Sequence, residues 1–208
     1  MRLLNAFVLA VFLAAGPVAV LAPRAAPIAS ADPGAVQGGA YVLEPVHTRV
    51  LFKLSHLGFT TWYGDFTGAS GSLALDPRNP AASHVEVTLP IASVSTTNAK
   101  LDAELKGPDW LGADKFPTAN FVSRKVTPTG PDRAMIEGEL TLHGITKPVT
   151  LEARLHGAGV NPMDHAYTVG FDATGKFNRS AFAVAKYVPM VGDEVTLIIS
   201  AAFERKGQ

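Results

Sequence analysis

From Ile136 to His156 apolar and polar side chains alternate in two consecutive stretches. Ile136, Gly138, Leu140 and Leu142 are interleaved with Glu137, Glu139, Thr141 and His143, and Val149, Leu151, Ala153 and Leu155 with Thr150, Glu152, Arg154 and His156. A period of two on both sides of a short break predicts two strands. Gly144 and Pro148 in the break supply a permissive backbone and a fixed φ, so the arms are expected to fold back as an antiparallel hairpin. One face of that hairpin is apolar and the other charged, and the apolar face needs a partner.

The same rhythm recurs along the chain. His47 to His56 puts Val50, Phe52, Leu54 and His56 on one face, and His84 to Leu89 does the same with Val85, Val87 and Leu89. Further strands are expected at Gly58 to Phe66, continuing to Leu73 and Leu75, at Asn120 to Val126, at Tyr167 to Ala173 and at Glu194 to Phe203. Thr97 to Lys106 interrupts the pattern with helix formers and Leu101 and Leu105 four apart; Ser and Thr residues suited to capping precede it and Gly107-Pro108 ends it. The expected fold is therefore all-β, an antiparallel barrel or sandwich of about eight strands with one or two short helices. A barrel of about that size is either just filled by its side chains or holds one small ligand, and the alternation does not separate the two.

Composition changes this picture mainly at the N-terminus. Arg2 precedes the apolar run Ala6 to Ala15, Gly16-Pro17 breaks it, and Ala29-Ser30-Ala31 is a small-x-small site, so residues 1–31 read as a signal peptide and residues 32–40 as a flexible leader to a single domain over 41–208. The alternative is a membrane anchor, because Leu3 to Leu21 is nearly long enough to span a bilayer. After cleavage no stable span remains, and the expected address is the periplasm or the medium. With 18 basic and 18 acidic residues the chain lacks the basic surface that nucleic acid or anionic lipid needs. It has no cysteine, which excludes disulfides, thiolate metal sites and a cysteine nucleophile.

Little catalytic chemistry is visible. The six histidines form neither HxH nor HExxH, no nucleophile-elbow or dinucleotide glycine motif occurs, and Ser55 and His56, adjacent on a strand, point to opposite faces. No metal and no cofactor are expected. His56 shares an apolar face and reads as a satisfied core histidine or a ligand contact; His143 and Lys147 read as surface residues at the turn. The apolar faces are candidates for a tunnel lining or for a filled core: Phe52, Leu54, Val87, Phe121, Leu140, Leu142, Leu151, Val169, Phe171, Leu197 and Ile199. Arg179 is the candidate for an anionic head group, with a structural salt bridge as the alternative.

Taken together and in order, His47 to His56 (HTRVLFKLSH), Gly64-Asp65-Phe66, Phe116 to Phe121 (FPTANF), Gly138 to Leu151 (GELTLHGITKPVTL), Asn178-Arg179-Ser180 and Val191 to Val195 (VGDEV) resemble the YceI-like family, over about Tyr41 to Glu204. The resemblance implies an extended, lipocalin-like antiparallel barrel whose apolar tunnel holds a polyisoprenoid or similar long-chain amphiphile, in exported bacterial proteins that are often homodimers. It favours the tunnel over the filled core. Two departures stand out: Ala181-Phe182-Ala183 where an acidic residue and Phe-Gly are usual, and Thr48 where Ser is common.

The function expected from all this is non-catalytic binding or sequestration of a long lipid. The alternatives are an enzyme acting on a lipid head group through His56 or His143, and a stress-protective barrel without a ligand. About twenty buried methylene groups at about 0.8 kcal/mol each would offset an association cost of about 4–15 kcal/mol, which favours a long ligand over a short one.

Overall fold

The computed structural model describes residues 28–207; most of the expected signal peptide, residues 1–27, lies outside the described residues. The strands are β1 (Gly39–His56), β2 (Thr60–Phe66), β3 (Ser70–Leu75), β4 (His84–Pro90), β5 (Thr118–Gly130), β6 (Arg133–Leu142), β7 (Ile145–Val160), β8 (Tyr167–Asn178) and β9 (Glu194–Arg205), with one helix, α1 (Ala99–Lys106), between β4 and β5. All neighbours are antiparallel in the order β2-β1-β3-β4-β5-β6-β7-β8-β9, and β1 also pairs with β9. Eight strands close into a barrel and β2 is an extra one. This is possible because β1 is long: along one edge Gly39–Val42 pairs with β3 and Val50–His56 with β2, while β9 lies along the other edge as far as Lys53.

The expected hairpin forms, with a different turn. Leu142 faces Ile145 across His143 and Gly144, which sit at φ 51° and 74°. Pro148 is not in the turn but in β7, opposite Glu139. There β7 has β6 as its neighbour while β8 joins only from Leu151, the kind of edge position at which a missing N–H is tolerated. The helix starts two residues later than Thr97, because Asn98 serves as its cap, accepting from the backbone N–H groups of Lys100 and Leu101 at 3.1 and 3.2 Å.

The β1–β9 pairing is interrupted between Glu44 and Arg49, around Pro45. Thr48, 1% exposed, repairs the gap: its Oγ1 accepts from the Ala202 N–H at 3.1 Å. Thr48→Val would strand that buried donor and is expected to cost about 1–3 kcal/mol in urea denaturation, whereas Thr48→Ser, which keeps the hydroxyl, should stay close to the parent.

The leader is not separate from the barrel. Gly39 and Ala40 already belong to β1, the Gln37 backbone N–H donates to the Tyr167 hydroxyl at 3.2 Å, and the Tyr41 hydroxyl donates to the Gln37 carbonyl at 2.5 Å. The antiparallel registers define two barrel ends. One carries residues 28–38, the β3–β4, β5–β6 and β7–β8 connections and the C-terminus; the other carries the β1–β2 hairpin, residues 91–117, the β6–β7 turn and residues 179–193. Apolar side chains pack into two clusters. The first, built on Tyr41, Leu43, Tyr167, Val169 and Phe203, lies on the β1 and β7–β9 side toward the first end. The second, built on Ile91, Trp110, Leu142, Phe182 and Val184, plugs the other end.

Candidate functional site

Between the two clusters the barrel is hollow. A cavity of about 250 Å³ is lined almost wholly by apolar side chains from β1, β3–β9 and the leader. Its origin is a row of small residues on adjacent strands: Ala134 of β6 faces Ala153 of β7, which faces Ala173 of β8, and all three line the cavity. Alternation places them inward, and their size leaves the centre unfilled. Accordingly Phe121, Leu140, Phe171, Leu197 and Ile199, all inward-facing, keep a partly accessible surface. At the first end the wall runs out to Pro33, Pro77, Pro80, Pro128 and Pro131, with Pro128 and Pro131 exposed, and this is where the cavity opens.

Of the residues expected to line a tunnel, Val87, Phe121, Leu140, Leu151, Phe171, Leu197 and Ile199 do line the cavity, together with Val50, Val85, Leu89 and Ile136, which share the same apolar faces, and the alanine row. Phe52, Leu54 and His56 do not: they lie where β2 has replaced β3 beside β1, Phe52 still opposite Leu197 of β9 and Leu54 and His56 past the last β9 pair. Phe52 packs on Phe66 at 5.6 Å between ring centroids, and the His56 ring lies 5.7 Å from that of Trp62. Leu142 is consumed in the plug and Val169, fully buried, in the first cluster.

Arg179 is at the closed end, 3% exposed, and its guanidinium is committed to backbone. It donates to the carbonyls of Gly192 (2.9 Å), Val184 (2.7 Å), Lys186 (2.9 Å) and Val191 (2.9 Å) and lies 5.2 Å from the Trp110 ring centre. Burial draws its pKa below the ordinary arginine value, and the nearby Asp193 carboxylate opposes that. Ser180 completes the arrangement, its N–H and hydroxyl both donating to Asp193, at 2.8 and 2.7 Å. The Asn178-Arg179-Ser180 and Val191-Gly192-Asp193 stretches thus close the plug on each other, and this arginine does not face the cavity. Nor does it form the alternative salt bridge: its hydrogen-bond partners are carbonyls.

Ala183 at φ 60° occupies the left-handed conformation in this segment, the position where the resemblance has glycine. Ala183→Gly is expected to stabilise the protein by up to about 1 kcal/mol in thermal or urea unfolding, by removing the Cβ penalty.

His143 is more than a surface residue: its Nδ1 lies 3.1 Å from the Phe182 carbonyl and its ring packs on Phe116 at 4.6 Å, tying the β6–β7 turn to the plug. The polar groups at the open rim are Ser83, His84, Asp132 and Arg133. The Arg154 guanidinium, bonded at 2.9 Å, is the first cause holding the Asp132 carboxyl below its usual range. One relay of catalytic appearance exists, Ser123 Oγ to His84 Nδ1 at 2.9 Å and His84 Nε2 to Glu86 at 3.0 Å. Ser123 is 2% exposed and its oxygen already accepts from the Val85 N–H, so no substrate reaches it. Among the described residues no cluster of His, Asp or Glu could hold a metal, and no helix is long and apolar enough to cross a membrane.

The comparisons with known proteins agree with this architecture. BcnA of Burkholderia cenocepacia superposes with a TM-score of 0.70 at 25% identity, covering 77% of this chain and 98% of that one. A polyisoprenoid binding domain from Saccharophagus degradans, implicated in plant cell wall breakdown, has the same fold with a TM-score of 0.59 at 13% identity, covering 81% of this chain and 99% of that one. Protein YceI of Shigella flexneri is 41% identical over 157 residues, 76% of this chain and 81% of its own. With the YceI-like domain itself matched across residues 41–203, nearly the whole barrel, the chain belongs to the YceI-like family.

Proposed function

We propose that the protein is an exported, non-catalytic carrier that takes up a long, slender apolar chain, of the polyisoprenoid class or an amphiphile like it, into the barrel lumen. The hollow apolar lumen, open at one end and plugged at the other, is the observation that carries this reading. The family and the polyisoprenoid-binding neighbour support a lipid ligand. Export rests on the signal-like pattern of residues 1–31 and places the carrier in the periplasm or the medium. No resident cofactor or metal forms part of the reading.

The lumen, at about 250 Å³, is slightly smaller than the roughly 300–1,000 Å³ of ordinary small-molecule sites. It suits a single chain inserted tail first, with the remainder of a long ligand and its head group passing out between the rim prolines. Native mass spectrometry of protein purified from its own host should reveal a bound long-chain lipid. Titration with a homologous series of alcohols should show affinity rising about fourfold per methylene until the lumen is full and then levelling. An empty protein that also fails to load polyprenyl lipids would sink the carrier reading.

A further inference from the structure

The residues before β1 cross the open end of the barrel. At one foot, Ser30 and Ala158 exchange both backbone hydrogen bonds, N–H to carbonyl at 2.8 Å each way, forming an antiparallel bridge on the stretch of β7 past Arg154, where β6 has already ended. Gly157 and Gly159 flank Ala158. A Cβ at Gly159 would lie 2.5 Å from the Ile28 carbonyl oxygen, and one at Gly157 would lie 3.1 Å from the Ala29 Cβ; the nearest atoms at both positions belong to residues 28–30. Neither glycine has a left-handed φ, so what these positions supply is room for a second backbone rather than an unusual turn.

From that foot the chain passes through a 3₁₀ turn at Pro33–Ala35, capped by Asp32, and both Pro33 and Val36 line the cavity at its mouth. The second foot is Gln37, held by Tyr167, Tyr41 and Arg205, and Gly38, packed against Pro77 and the Leu75 carbonyl.

We propose that Gly157-Ala158-Gly159 is a binding site for an extended peptide backbone, occupied here by Ile28–Ser30 of the same chain, and that this docking latches residues 28–38 as a strap across the tunnel mouth. What the strap governs, passage of the ligand, rests on the carrier reading; the docking itself does not. The small-x-small site Ala29-Ser30-Ala31 is part of the latch. Cutting after Ala31 removes the first foot and leaves Asp32–Val36 attached through Gln37 and Gly38 alone, so that maturation and release of the mouth become one event.

The test uses the full chain and two substitutions. Gly159→Val places a side chain where Ile28 lies and suits a strand; Ser30→Pro removes one latch donor and lies outside the barrel, so it serves if the first variant fails to fold. Amide exchange at Ala158, followed by mass spectrometry, reads the docking without any lipid. Loading and release of a fluorophore-tagged long-chain fatty acid read the gate. Both variants are expected to exchange the Ala158 amide about tenfold faster and to load and release the probe about tenfold faster at unchanged final occupancy. Unchanged exchange in both variants overturns the docking site. Faster exchange with unchanged loading overturns the gate. Faster exchange with no loading by any form, the parent included, upholds the docking site and overturns the carrier reading.

Discussion

Arg179→Ala is expected to destabilise the protein by about 4 kcal/mol or more, among the largest effects any single substitution should have in this fold. The guanidinium donates to four carbonyls of residues 184–192 in a site where Arg179 is 3% exposed. Each carbonyl left buried without a donor costs about 1–3 kcal/mol, and the Trp110 face loses its cation as well. Arg179→Lys should recover little of this, because one ammonium cannot reproduce a planar fork that addresses several acceptors at once. Urea denaturation followed by tryptophan fluorescence, with Trp110 in the plug as reporter, measures the loss. A variant that kept its midpoint yet stopped loading lipid would return Arg179 to the ligand.

Ala153→Trp should do the reverse: abolish lipid loading, by about a hundredfold or more in affinity, with stability unchanged or raised. Ala153 is the centre of the alanine row, between Ala134 and Ala173, and the indole would project into the cavity. Because the added surface goes into a void rather than a packed core, the usual overpacking cost is avoided. Near-ultraviolet circular dichroism together with lipid titration separates the two effects. Unimpaired loading by the folded variant would mean that the ligand binds elsewhere.

Much of the wall was legible from side-chain order, because a strand with one buried face must alternate. The arms around Gly144, the strands carrying Val85 and Val87 and those carrying Leu197 and Ile199 follow directly from that. Alternation reports which way a residue points and how polar it is, but a hollow is made by size, and Ala134, Ala153 and Ala173 look unremarkable beside leucines until the register sets them side by side. Phe52 and Leu54 share a face with Val50, which by alternation alone points them into the lumen. A shared face lines the lumen only while the same neighbours flank the strand, and β1 exchanges β3 for β2 along its length.

Charge was informative only where its surroundings were also written nearby. Arg179 has the right chemistry for an anionic head group, yet its acceptors are main-chain carbonyls, which carry no sequence signature. Pro148 reads as a turn residue because of its fixed φ; whether a strand tolerates its missing N–H depends on how many neighbours that strand has, which only the sheet order supplies. The leader, rich in Gly and Ala, gave no sign that two glycines far along the chain leave space for it.

The closure of β1 on β9 also bears on how this chain becomes a protein. The first strand to be synthesised finds β9 only when the last strand follows, so the wall stays unsealed while the rest of the polypeptide is delivered. Folding to the closed barrel is then limited by topology. A nascent chain that cannot close early remains threadable until its final strand is through, a useful property in any polypeptide that must cross a membrane unfolded.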